Sequence, residues 1–218
     1  KLVSLALAAV LAVSAVGCGS SSDSSSSTAD SAQSTEAAAD GATFKIGGIG
    51  PITGGAAIYG QAVMNAAQMA VDKINADGGI NGYQVEFRFE DDEHDAEKSV
   101  NAYNTLKDWG MQMLMGTVTS TPCTAVSAKT EEDNMFQLTP SGSAVESIAP
   151  ANAFRVCFSD PNQGTASAQY IGENKLANKV AVIYNSSDVY SSGIYQTFAT
   201  EAANQGFEVV AAEAFTED

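Results

Sequence analysis

The chain is poor in the residues that perform covalent and metal chemistry. Its 218 residues include one His and three Cys. With a single His and no matching base, hydrolysis has little support, and Ser141-Gly142-Ser143 is not a GxSxG nucleophile elbow. No GxxxxGK[ST] run is present, which removes a P-loop nucleotide site. The run GIGPIT at 48–53 lacks the last glycine of the dinucleotide fingerprint. No cofactor is implied. The acidic run EDDEHD at 90–95 holds the one His but lacks calcium-loop spacing, so a solvated turn is expected there and no metal site. Basic residues are also scarce, 10 Lys and Arg against 26 Asp and Glu, for a net charge of −16. That balance argues against nucleic acid and anionic lipid as partners and favours solubility.

A long apolar run is missing too. Residues 2–16 are apolar but too short for a comfortable membrane span, and Lys1 precedes them. They fit the apolar core of a secretory signal. Ala15, Val16 and Gly17 lead into Cys18, which resembles a bacterial lipobox, although Ala15 stands where Leu is usual. The expectation is a signal over 1–17 and lipid attachment at Cys18. Residues 18–43 are rich in Ser, Ala, Asp and Thr. Such a segment cannot bury enough apolar surface to offset its ordering entropy, so a flexible tether is expected. Cys123 and Cys157 could pair, but their expected helix and strand positions favour two free buried thiols.

What is present is an alternation of strand and helix. Residues 44–49 form an apolar run that ends in a Gly-rich turn. Val63, Ala66, Ala67, Ala70, Val71 and Ile74 follow at helical spacing, and a second strand is expected at 85–90. That is a βαβ unit, the building block of a doubly wound sheet. A helix is expected over 95–108 with Ala96, Val100, Tyr103 and Leu106 inward. A strand at 111–116, a helix opened by Pro122, and extended runs at 135–139 and 154–158 complete a first lobe over 44–159. Asp160-Pro161 is expected to cap and open a helix carrying Ala166, Tyr170 and Ile171. Strands at 180–184 and 207–215, with a helix between them, begin a second lobe over 160–218. That lobe supplies only two strands, so the chain is expected to be part of a longer protein.

Three turns at strand ends share one chemistry. The turn at 50–60 carries Thr53 and Tyr59. GTVTSTP at 116–122 and TPSGS at 139–143 place hydroxyls beside helix starts. Free N–H groups at a helix start favour an anion. Hydroxyls beside them both donate and accept. A carboxylate suits this equipment, and the hydroxyls and carbonyls near Ser141 suit an ammonium.

Across the folded part, these residues resemble the branched-chain amino-acid binding proteins of ABC importers. The carriers are IGGIGPITGGAAIYGQ, AVDKINADGGINGYQVEF, EDDEHDAEKSV, LMGTVTS, QLTPSGSA, FRVCFSDPNQGTASAQYI and KVAVIYNSSDVYSSGI. The resemblance implies an α/β fold of two Rossmann-like doubly wound lobes joined by a hinge, the periplasmic binding protein type 1 fold. It implies that Tyr59 covers the ligand and that Ser120 meets its carboxylate with Thr121 adjacent. Ser141 offers a backbone carbonyl to the ammonium and Ser143 its hydroxyl, with Gly142 between them. Tyr190 reaches across from the second lobe. The family's Leu/Ile/Val prototype has a disulfide at positions that fall here at His94 and Thr119, which this chain cannot form. The acidic partner of the ammonium falls beyond residue 218. The implied role is a monomeric receptor on the outer face of the cytoplasmic membrane, held by its lipid alone, passing an amino acid to an ABC permease without turnover. A sensory domain of a receptor is the alternative on the same fold.

Overall fold

The computed structural model describes residues 41–216. The expected signal, Cys18 and the tether up to residue 40 lie outside the described residues.

Five parallel strands make the first sheet: β1 (Thr43–Gly50), β2 (Gln84–Asp91), β3 (Met113–Gly116), β4 (Gln137–Thr139) and β5 (Ala153–Arg155). Their order is β2-β1-β3-β4-β5. The connections are α1 (Ala57–Ala76), α2 (Ala96–Trp109) and α3 (Ser120–Glu132), with a short 3-10 helix at Val145–Ile148 that the sequence did not announce. The chain steps outward from β1 to β2 and then back past β1 to β3. The order therefore reverses between β1 and β3, and such a switch point opens a crevice at the carboxyl ends of the two strands.

Local chemistry sets the boundaries. Asp95 caps α2 by accepting the Lys98 amide at 2.8 Å, and Gly110 closes it at a φ of 89°. The core beneath α2 is Ile49, Ala102, Tyr103, Leu106, Met111, Leu114 and Val126, with Trp109 and Met135 against it. Tyr103 and Leu106 point inward as the periodicity requires. Gly60 must lack a side chain, because a Cβ there would lie 1.8 Å from the Pro51 carbonyl oxygen. This close approach seats the start of α1 on the loop after β1.

The second group consists of α4 (Asp160–Glu173), β6 (Lys179–Asn185), α5 (Val189–Asn204) and β7 (Glu208–Phe215), with β6 and β7 paired in parallel. Ala168, Ala202 and Phe207 are buried there, with Ile171, Val180, Phe198 and Val209 packed around them.

Several expectations are corrected. Ser159, not Asp160, caps α4, accepting the Asn162 amide at 3.3 Å, and Asp160 is the first helical residue. The inward face of α4 carries Gly164 and Ala168, while Ala166 and Tyr170 are exposed. The reason is helix-on-helix contact: Gly164 lets the α5 backbone approach so closely that the buried stripe rotates away from Tyr170. In α1 only Val71 of the expected stripe is fully buried, and Ala66 and Ala70 are exposed. Cys157 is not a strand residue, because β5 ends at Arg155, and it is only half-buried. Cys123 is buried, and both thiols are free. The acidic turn is not fully solvated, since Asp92 has no exposed surface. Its side chain turns inward to accept the His94 amide at 2.9 Å.

Candidate ligand-binding site

Strands β1, β3 and β4 are parallel neighbours, so the loops at 51–56, 117–119 and 140–144 share one sheet edge. Two of the three flank the β1/β3 switch point. The hydroxyl-rich turns are thus brought together by strand order and not by their sequence spacing.

Ser120 is the node of this edge. It is the first residue of α3 and is buried. Its Oγ accepts the amides of Ser143 at 3.0 Å and Ala144 at 3.1 Å, and lies 3.5 Å from Ser143 Oγ. The Ser141 hydroxyl donates to the Val118 carbonyl at 2.6 Å, and the Gly142 amide donates to Thr139 Oγ1 at 2.7 Å. Five bonds therefore stitch the loop after β4 upon itself and to the start of α3. Thr119, the N-cap of α3, makes no side-chain cap bond to the first-turn amides. Its hydroxyl instead meets His94 Nδ1 at 2.9 Å. The start of α3 thus keeps the free N–H character that draws a carboxylate. The His94 and Thr119 side chains meet at the two positions where the resembling prototype carries its disulfide.

Thr121 faces the second group. Its hydroxyl donates to Asp188 Oδ1 at 3.1 Å, and Asp188 is the N-cap of α5, accepting the amides of Tyr190 and Ser191. The beginnings of α3 and α5 are therefore joined side chain to side chain. Tyr190 lies in the first turn of α5, 40% exposed, with its hydroxyl accepting from Gln163 Nε2 at 3.2 Å. Tyr59 lies in the first turn of α1, 64% exposed. The structure brings Ser120, Ser141, Gly142 and Ser143 into one bonded cluster with Thr121 at its margin. Tyr59 and Tyr190 stand outside that cluster as exposed rings.

Two groups near the cluster escaped the sequence reading. Arg155, at the end of β5, donates through Nη1 to the carbonyls of Ser143 at 2.8 Å and Ala144 at 2.9 Å. Asp160 is buried, and neither carboxylate oxygen has a hydrogen-bond partner. Its amide donates to the Ser143 carbonyl at 3.0 Å, and its side chain faces Gly193 of α5. Burial pushes the Asp160 carboxyl up. The Ser143 hydroxyl nearby and Arg155 temper that rise, while Asp188 and Glu146 add to it. A signal for Arg155 did exist: it is one of only two arginines, set in an apolar run between Phe154 and Val156. Asp160 gave a different signal and was read as a cap. Among the described residues, no group of three or more His, Cys, Asp or Glu is placed to hold a metal ion.

The model of the periplasmic binding protein family matches residues 43–217. Leu/Ile/Val-binding protein homolog 3 of Brucella melitensis is 34% identical over 172 residues, covering 78% of this chain and 46% of that protein. The branched-chain amino acid transporter substrate binding protein LivJ from Streptococcus pneumoniae, solved in complex with isoleucine, is similar with a TM-score of 0.74 at 29% identity. That likeness covers 80% of this chain and 50% of LivJ. A periplasmic binding protein type 1 from Bordetella pertussis shares the fold with a TM-score of 0.74 at 24% identity, over 80% of this chain and 49% of that one. The chain spans about half the length of the curated relatives it matches. The chain belongs to the periplasmic binding protein family, with the type 1 fold.

Proposed function

We propose that this chain forms the first lobe and the start of the second in an extracytoplasmic receptor that binds an amino acid, branched-chain or related, between its lobes. The receptor delivers it to an ABC permease and performs no chemistry on it. The observation that carries this reading is the Ser120 node. One buried hydroxyl at the start of α3 is held by two amides of the loop after β4, at the edge where the crevice opens. A carboxylate docked there meets a hydroxyl proton and helix-start amides, each charge-assisted bond contributing roughly 1.5–3 kcal/mol. The loop at 141–143 supplies carbonyl and hydroxyl oxygens for an ammonium beside it. Closure of the second lobe over the ligand, with Tyr59 and Tyr190 as covering rings, gives the permease a distinct state to recognise. The names of the relatives favour branched-chain substrates, and lipidation at Cys18 keeps the receptor beside its permease.

A thermal-shift screen of the full-length protein against all amino acids tests this, followed by calorimetry on the hits. A rise in melting temperature with leucine, isoleucine, valine or a near relative is the expected result. Stabilisation by only a sugar or a metal ion would end the reading. Mass spectrometry of the membrane-extracted protein, showing diacylglyceryl on Cys18, tests the anchor independently.

A further inference from the structure

The hydrogen bonds around Ser120 fix the direction of its proton. A hydroxyl has two lone pairs and one proton. The amides of Ser143 and Ala144 occupy both lone pairs of Ser120 Oγ. Only the proton is left, and at 3.5 Å the contact with Ser143 Oγ is too long to hold it firmly, so it stays available to a ligand. Toward any ligand, this serine can only donate. That polarity suits a carboxylate and rejects an ammonium or an amide nitrogen.

What holds the Ala144 amide in place is Arg155. The peptide between Ser143 and Ala144 is gripped at both ends. Its N–H donates to Ser120 Oγ, and its C=O accepts Arg155 Nη1 at 2.8 Å together with the Asp160 amide at 3.0 Å. Arg155 also takes the next carbonyl, that of Ala144, at 2.9 Å. A cation on a peptide oxygen draws electron density from the nitrogen end, so the N–H becomes a stronger donor. The same contact fixes the plane of the peptide.

We propose that Arg155 is a positioning residue that holds Ser120 as a pure hydrogen-bond donor and so sets the preference of the site for a free carboxylate. This rests on the amino-acid reading above. Arg155 acts through the loop after β4 and not by touching the ligand. Its effect therefore falls on the carboxylate end of the ligand and leaves the side-chain end alone.

The test compares leucine with leucinamide, which keeps the ammonium and side chain but lacks the carboxylate. Calorimetry is run on the full-length wild type, Arg155→Met and Arg155→Lys, with melting temperatures of the unliganded proteins recorded alongside. The expected result is that Arg155→Met weakens leucine about tenfold and leucinamide less than about twofold. Arg155→Lys keeps a cationic donor for the same carbonyls and retains most of the preference for leucine. Equal weakening of both ligands by Arg155→Met marks a general structural role and overturns the inference while leaving the amino-acid reading intact. Should Arg155→Met fail to fold, Arg155→Gln takes its place: weakening of leucine with leucinamide little changed supports the inference, and equal weakening of both ligands, or of neither, overturns it. A wild type that binds no amino acid removes both the reading and the inference.

Discussion

Replacing Asp92 by Asn should make the protein less sensitive to pH by an amount that the structure fixes. Asp92 has no exposed surface, and its Oδ2 has no hydrogen-bond partner. Burial pushes its carboxyl up from 3.8 to about 6. The His94 amide and ring temper the rise, while Asp91 and Asp95 add to it. The folded chain therefore holds this proton more tightly than the unfolded chain. The stability that the proton brings is full well below pH 3.8 and is lost as pH rises through 6. At about 1.4 kcal/mol per tenfold in proton affinity, the loss is about 3 kcal/mol. Asparagine keeps an acceptor for the His94 amide and cannot ionise. Its own NH2 lacks a partner and costs something, but equally at every pH. The readout is therefore the change in the difference between variant and wild type. Urea denaturation at pH 4 and pH 7.5 should show Asp92→Asn gaining about 2.5 kcal/mol on the wild type between the two. With urea slopes of about 1–3 kcal/mol/M this moves the relative midpoint by more than about 0.8 M. A difference that stays flat from pH 4 to 7.5 would refute the claim that this buried carboxylate ionises at the expense of the fold.

Further outcomes follow from single contacts. Ser120→Ala leaves the Ser143 and Ala144 amides without their acceptor and removes the proposed carboxylate donor. Amino-acid affinity by calorimetry should fall by about tenfold or more, with the fold retained in circular dichroism. Gly164→Ala places a Cβ 2.1 Å from Thr197 Oγ1 and 2.4 Å from the Ile194 carbonyl, forcing α4 from α5. It should cost roughly 1–3 kcal/mol in chemical denaturation. Leu106→Ala, at a site with no exposed surface, should cost about 2–5 kcal/mol in the same assay. The double variant His94→Cys and Thr119→Cys tests whether the backbones here come as close as the prototype's bridge requires, and a disulfide on air oxidation is the expected outcome. Thiol titration before and after reduction reads it directly.

Some of this protein is written in local pattern. Asp95 and Gly110 bound α2 because capping depends on neighbours three or four residues away, and Tyr103 and Leu106 lie inward because the helical period is fixed. The alternation of strands and helices, and hence the doubly wound class, follows from such short-range rules. The hydroxyl-rich turns at 116–122 and 139–143 are visible in the same way. The misread positions are those where a distant partner decides. Asp160 looks like a cap until Ser159 takes that role and α5 buries the carboxylate. Which face of α4 is buried is likewise decided at a distance, where Gly164 admits the backbone of α5.

The site divides along the same line. Residue type and spacing alone determined which turns carry hydroxyls and helix starts, since those are properties of a few consecutive residues. The order β2-β1-β3-β4-β5 decided that the turns meet, and it placed Arg155, twelve residues beyond Ser143, on the carbonyls that steer Ser120. Strand order and the direction of a hydroxyl proton are settled by contacts between segments far apart in the chain, and no local pattern encodes them.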